Sequence, residues 1–315
     1  MEEYDPEGAP EPFGLENPGS LCYFNSLLQV LAGCTAFRRA VLAAGPAGFE
    51  TATGRALEEF FRRPGAGRES AAGLYEALRS DLAARKPAAL KAFGPGQNSA
   101  TEAFLLLLEM LEAPGAPGAE APGAEAGGRL AALFRHRFRC EIFCPRCRAP
   151  VSKTSDSALS LYLGHLDGPA PPRTAEAFSR AVSCAVSAVE DFACPACPGA
   201  PKGGAVRVYS LTMVPEVLFC HFNRYAPPPA SGRFFPEFLA FPALGGGALR
   251  FRLVGQIEHS GGLEGGHYWA RALRRGGSFC LNDAAVSRAP LAPTANTYVV
   301  VYHYAGREGA PSPGS

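Results

Sequence analysis

The chain has 315 residues, enough for one large or two ordinary domains, and at 47% hydrophobic it can bury a sizeable core. With 30 basic against 29 acidic residues the formal charge is +1, which argues against a nucleic-acid binder built on a basic surface. No apolar run approaches the roughly 20 residues that a membrane span needs, and the acidic, proline-rich start lacks the basic and apolar regions of a secretory signal.

These features predict an intracellular protein, cytoplasmic or nuclear or both, where thiols stay reduced. Ten cysteines in such a chain point to metal or catalysis more than to disulfides. In chain order, residues 1–13 read as a disordered N-terminus, being acidic with three prolines. From Cys22 the pattern becomes helical: Phe24, Leu27, Leu28 and Leu31 fall on one face, with Ser20 as a possible cap and Gly33 as a stop. Helical patterns continue to about Leu111, and "TEAFLLLLEMLEA" (101–113) reads as a buried helix. Residues 113–128 carry an imperfect "APGAEA" repeat and read as a flexible low-complexity loop.

Beyond that loop the periodicity turns strand-like, with "RFRCEIF", "SALSLYL", "AVRVYSL", "EVLFCHFNRY", "LRFRLVGQIEHS", "HYWARAL", "SFCLND" and "TYVVVYHY" as strand candidates. Residues 175–192 read as a further helix, and 305–315 as a disordered tail. Helices first and strands later make an α+β fold.

Two Cys-x-x-Cys pairs lie in the strand half, Cys144/Cys147 and Cys194/Cys197. Thiolates at this spacing converge on a tetrahedral Zn²⁺ from two knuckles. The gap between the pairs exceeds that of a compact zinc ribbon and needs an inserted strand or arm. Four thiolates leave no open position, so such a metal is structural rather than catalytic. Redox chemistry, the competing reading, needs only one pair beside a βαβ pattern.

A cysteine at a helix N-terminus has its thiolate stabilised by the helix dipole and free N–H groups. Cys22 fits that position, although a buried structural thiol is the commoner case. Of the six histidines, His259 and His267 bracket the Gly-rich "SGGLEGG", a loop that lets backbone approach a substrate closely. Chain order does not choose between them. Asn282 and Asp283, at the end of the next strand candidate, are available to orient an imidazole, as in Cys-His-Asn triads on other folds.

Five ordered features, from about Gly14 to Tyr304, then match one family. "GLENPGSLCYFNSLLQ" (14–29) resembles the cysteine box of the ubiquitin-specific proteases, and His259-Ser260-Gly261, Gly266-His267-Tyr268 and Asn282-Asp283-Ala284-Ala285-Val286 resemble its histidine box. "GQNSATEAF" (96–104), "VPEVLFCHFNRY" (214–225) and the two cysteine pairs fall in the family's order. The resemblance implies a papain-like thiol protease with thumb, palm and zinc-tipped fingers: a thumb at about 14–112, fingers at about 133–213 and a palm at 214–304. It implies Cys22 as nucleophile, His267 rather than His259 as base, Asn282 as its orienter with Asp283 as helper, and Asn17 as oxyanion donor. Gln97, Ser99, Glu102, Gly266 and Tyr268 stand where the family meets its substrate. The implied partner is ubiquitin or a ubiquitinated protein, with one structural Zn²⁺ on Cys144, Cys147, Cys194 and Cys197, no nucleic acid, no membrane, and a monomeric state. Leu21 and Ser99 depart from the family's usual Thr and acid, and the loss of an acid at Ser99 bears on which ubiquitin-like modifier is preferred.

Overall fold

The computed structural model describes residues 1–63, 70–93, 96, 98–112, 124–167, 170–198, 202–223, 233–262 and 265–309. Seven helices come first: α1 (Cys22–Gly33), α2 (Thr35–Ala44), α3 (Ala52–Arg62), α4 (Ser70–Arg85), α5 (Pro87–Ala92), α6 (Ala100–Leu111) and α7 (Ala124–Ala132). The strands β1 (His136–Phe143), β2 (Pro150–Ala158) and β3 (Leu161–Tyr162) follow, then α8 (Ala175–Ser183) and β4 (Cys184–Val189). The remainder is β5 (Ala205–Met213), β6 (Val217–His221), β7 (Phe238–Pro242), β8 (Ala248–Gly261), β9 (Gly266–Arg274), β10 (Gly277–Asn282), β11 (Ala285–Arg288) and β12 (Thr297–Glu308). The fold is α+β, as the sequence predicts.

Two sheets organise the strands. One is four-stranded in the order β2-β1-β5-β4; the other runs β11-β10-β9-β8-β12-β6-β3, with β7 added on β8. The larger sheet separates two cores. One lies among the helices and takes in Leu27, Phe104 and Val301; the other lies beneath α8 and takes in Phe178, Phe251 and Tyr302.

α1 is central, and the one-faced pattern understates it, because every residue from Cys22 to Gly33 is buried. Two of its polar side chains bond inside: Ser26 Oγ donates to the Tyr23 carbonyl at 2.9 Å and Gln29 Nε2 to the Phe13 carbonyl at 2.7 Å. Gly33 ends the helix for reasons of packing. A Cβ there would lie 2.9 Å from the Arg274 guanidinium and 3.2 Å from the Leu273 carbonyl. α2 then leaves at 89° to α1.

Five expectations change. Residues 1–13 are ordered against the body of the protein: Tyr4 N–H donates to the Tyr304 carbonyl at 2.8 Å, Ala9 is buried, and Arg275 N–H donates to the Pro10 carbonyl. Composition misses this because the anchors are backbone groups and arginines far along the chain. Within the low-complexity stretch, residues 113–123 lie outside the described residues, while α7 already begins at Ala124. The helix expected over 175–192 stops at Ser183, where Cys184-Ala-Val-Ser-Ala-Val becomes β4 and pairs with β5. The fingers span is interrupted too, since β3 pairs in parallel with β6 and α8 packs on β7 before the chain returns to the small sheet. At the C-terminus, where the sequence predicts a tail from 305, β12 continues to Glu308; residues 310–315 lie outside the described residues.

Candidate active site

The cysteine box crosses the end of the large sheet before entering α1. Leu15 N–H donates to the Asp283 carbonyl at 2.9 Å. Gly14 lies so close to the β10–β11 turn that a Cβ would meet the Ala284 carbonyl oxygen at 2.4 Å. Glycine is therefore the residue that allows this approach. Asn17 then closes the entry into the helix: its Oδ1 accepts from Gly19 N–H at 3.2 Å and Leu21 N–H at 3.0 Å. Ser20, expected as the cap, is exposed, and Leu21 holds the cap position without a side-chain bond. Cys22 is the first residue of α1 and is 4% exposed.

The histidine box is a hairpin. β8 and β9 pair so that Ser260 faces His267 and Gly261 faces Gly266. The turn between them needs glycine: Gly261 has φ +133°, and a Cβ on Gly266 would meet the Ser260 carbonyl at 2.4 Å. His267, half-buried, donates from Nε2 to Asn282 Oδ1 at 2.6 Å. That bond fixes the tautomer and leaves Nδ1 as the acceptor. His259 is 8% exposed with its ring 4.4 Å from that of Tyr268, a packed position. The structure thereby separates the two candidates that chain order alone could not.

Asp283 does something the sequence does not reveal. It sits at φ +49° in the two-residue turn from β10 to β11, a left-handed conformation that Asp tolerates. Its carboxylate turns to the cysteine box, accepting from Asn17 Nδ2 at 3.0 Å and Asn25 Nδ2 at 2.8 Å. Asn25 also donates to the Glu16 carbonyl at 3.1 Å. Asp283 thus ties the first turn of α1 to the sheet, while Asn282 alone meets His267. Asn25 carries no role in the sequence reading; the available signal was an amide side chain in the first turns of a largely apolar helix.

The substrate-side residues divide. Gln97 lies outside the described residues. Ser99 caps α6, accepting from Glu102 N–H at 3.4 Å, and its hydroxyl is 3.0 Å from that of Tyr298. Glu102 and Gly266 are exposed. Tyr268 is wholly buried, its ring packed on Tyr23 and Tyr298, so strand alternation places this candidate in the core rather than on a substrate surface.

The four cysteines of the two pairs meet at the tip of the small sheet. β1 and β5 pair antiparallel, with Phe143 beside Val206, which brings the β1–β2 and β4–β5 loops together. The Sγ atoms of Cys144, Cys147, Cys194 and Cys197 lie within 4.8 Å of one another, with Cys147 and Cys194 3.9 Å apart. Tetrahedral Zn–S bonds of about 2.3 Å place sulfurs about 3.8 Å apart, so the donor set fits. Backbone N–H groups of Cys147 and Arg146 aimed at Cys144 pull its thiol down to about 7, the form that binds metal. Within the same cluster burial raises Cys194 and pushes Cys197 up to about 12. Burial also pushes Cys34 up to about 12 and holds Cys220 higher still.

A buried thiol heading a central helix, an imidazole held by an amide on adjacent strands, and a separate four-thiolate fingertip define a papain-like thiol hydrolase arrangement. The ubiquitin carboxyl-terminal hydrolase model matches residues 13–304, and the chain belongs to that family of cysteine-type deubiquitinating enzymes. No curated protein matches the chain. Among solved structures, the Ubp8/Sgf11/Sus1/Sgf73 module of SAGA bound to monoubiquitin has the same fold, with a TM-score of 0.71 at 19% identity over 96% of this chain and 71% of that one. The module bound to ubiquitin aldehyde gives 0.69 at 20% identity, covering 96% and 71%. A yeast module with a mutant Sgf73 gives 0.71 at 18% identity, covering 96% and 70%.

Proposed function

We propose that this chain hydrolyses the isopeptide or peptide bond after the C-terminal glycine of ubiquitin, through a thioester on Cys22. The observation that carries the reading is the 2.6 Å bond from His267 Nε2 to Asn282 Oδ1, on strands against which α1 packs with Cys22 at its head. With Nε2 committed, Nδ1 takes the Cys22 proton as the sulfur attacks the carbonyl carbon. The imidazolium returns the proton to the leaving amine, and water, deprotonated by the same nitrogen, releases ubiquitin.

The oxyanion falls to backbone N–H groups at the head of α1 and to Asn17. Asn17 spends one N–H on Asp283 and keeps a second to donate. Asp283 is a positioning residue in this scheme, fixing the Asn17 amide from the palm side. The helices act as thumb, the large sheet as palm and the small sheet as fingers. Zn²⁺ on the four fingertip cysteines supplies a structural cross-link, and catalysis does not pass through it. None of the ten cysteines forms a disulfide. The reading takes the protein as a monomer acting on ubiquitin in the cytoplasm or nucleus.

The test is labelling with modifier probes that carry a C-terminal thiol-reactive group, on wild type and Cys22→Ala, with the adduct located by mass spectrometry. The expected result is a ubiquitin adduct on Cys22 in wild type and none in the variant. Labelling only by another ubiquitin-like modifier would retain the mechanism and overturn the choice of substrate. No adduct on folded wild type with any probe would overturn both.

A further inference from the structure

The chain has one tryptophan, Trp269, and it lies two residues beyond His267 on the same face of β9. The two rings are stacked, with centroids 6.0 Å apart and planes inclined by 23°. The strand register encloses the indole further. Leu281 faces Ala270 across β9 and β10, which brings Asn282 beside Trp269, and Glu258 faces Trp269 from β8. The half-buried indole therefore flanks both partners of the His267–Asn282 bond. Of its charged neighbours, Glu258 is fully buried and engaged with Gln256 and Thr294, and Arg271 follows on the same face of β9.

We propose that Trp269 is a positioning residue for the reaction: it holds the plane of the His267 imidazole, keeps water from the His267–Asn282 bond, and offers its π face to the imidazolium formed as Cys22 attacks. The physical basis is threefold. An aromatic neighbour at this separation restricts ring rotation. A cation within about 6 Å of an indole is attracted to its face. A hydrogen bond shielded from water is electrostatically stronger. The proposal rests on His267 being the base. It concerns kcat rather than ubiquitin binding, because Trp269 acts through His267.

The experiment combines kinetics with the emission of the sole tryptophan. Trp269→Ala is expected to lower kcat about tenfold or more with KM within about twofold, following the cost of misplacing a catalytic group. Trp269→Phe, which keeps an aromatic face, is expected to recover most of that loss. In wild type, Trp269 emission should fall on acidification as a cationic imidazole quenches the indole stacked on it, and His267→Gln should abolish that response without unfolding. Should Trp269→Ala fail to fold, the wild-type and His267→Gln titrations still decide the matter. Unchanged kcat in a folded Trp269→Ala, or the same titration with and without His267, would overturn the proposal. Loss of activity in His267→Gln beside a flat wild-type titration would overturn the role of Trp269 and leave the base assignment standing. Full activity in His267→Gln would overturn both.

Discussion

The thumb–palm seam and the fingertip are both places where distant cysteine-bearing segments meet, yet they are held in opposite ways. At the seam, α1 is buried along its whole length and most of β8 and β12 are buried with it. Cys22, His267 and Asn282 ride on elements fixed by that core. In the small sheet only His136 and Ala205 are buried among the residues of its four strands, and Val186 is 65% exposed. Apolar burial at roughly 25 cal/mol per Å² can hold the first arrangement and contributes little to the second. Precision at the active site comes from packing, whereas the exposed small sheet leaves order at the fingertip to the proposed metal.

Metal removal should break the comparison most visibly. Stripping Zn²⁺ from the holoprotein with a strong chelator, or Cys194→Ser, should raise amide exchange throughout β1, β2, β4 and β5 while leaving α1, β8 and β12 protected. Equal exchange in both regions would show the small sheet to be self-supporting. Asn17→Ala should lower kcat about 10²–10³-fold with near-normal ubiquitin binding, the usual cost of an oxyanion donor. A rise in KM alone would instead make Asn17 only a turn residue. Gly14→Ala should force its Cβ against the Ala284 carbonyl, shift the turn that carries Asn282 and Asp283, and cost up to about 10² in kcat, as small misplacements do. Little change would mean that the turn yields without moving Asn282.

The mildest effect is on acid stability. Burial lowers His221 to about 4 and depresses His136 and His303 as well, so the unfolded chain binds protons that the folded chain refuses. Stability should be flat in this respect above about pH 6.5 and fall below it, each histidine adding at most about 1.4 kcal/mol per pH unit. Urea midpoints taken between about pH 7.5 and pH 5 would check the sign, and a midpoint that rises on acidification would contradict it.

The site was legible where chemistry is local in sequence. Cys22 at a helix start, the two cysteine pairs and the Gly-rich hairpin before His267 can be read because spacing alone constrains them. Asp283 was not legible, because its partners Asn17 and Asn25 are reached only through the fold and its left-handed turn aims it away from the imidazole. Tyr268 was misassigned for a simpler reason: a residue beside a catalytic histidine on a strand points to the opposite face. The ordered N-terminus escaped composition because Arg38, Arg39 and Arg275 supply its contacts. In the sequence reading the helical run before "CAVSAV" outweighs its β-propensity, whereas pairing with β5 makes the segment a strand.

The excursion of the chain between the two cysteine pairs gives the fingertip a reach beyond its own sheet. Between Cys147 and Cys194 the backbone leaves the fingers, lays β3 beside β6 and α8 upon β7, and comes back as β4. A metal joining the two knuckles closes that path into a ring. By analogy with a disulfide of similar span, such a closure removes about 4 kcal/mol of chain entropy from the unfolded ensemble. Part of the palm would thereby be tethered at a distance by an ion it never touches, and a bound metal would set how readily β3 and α8 peel from the large sheet.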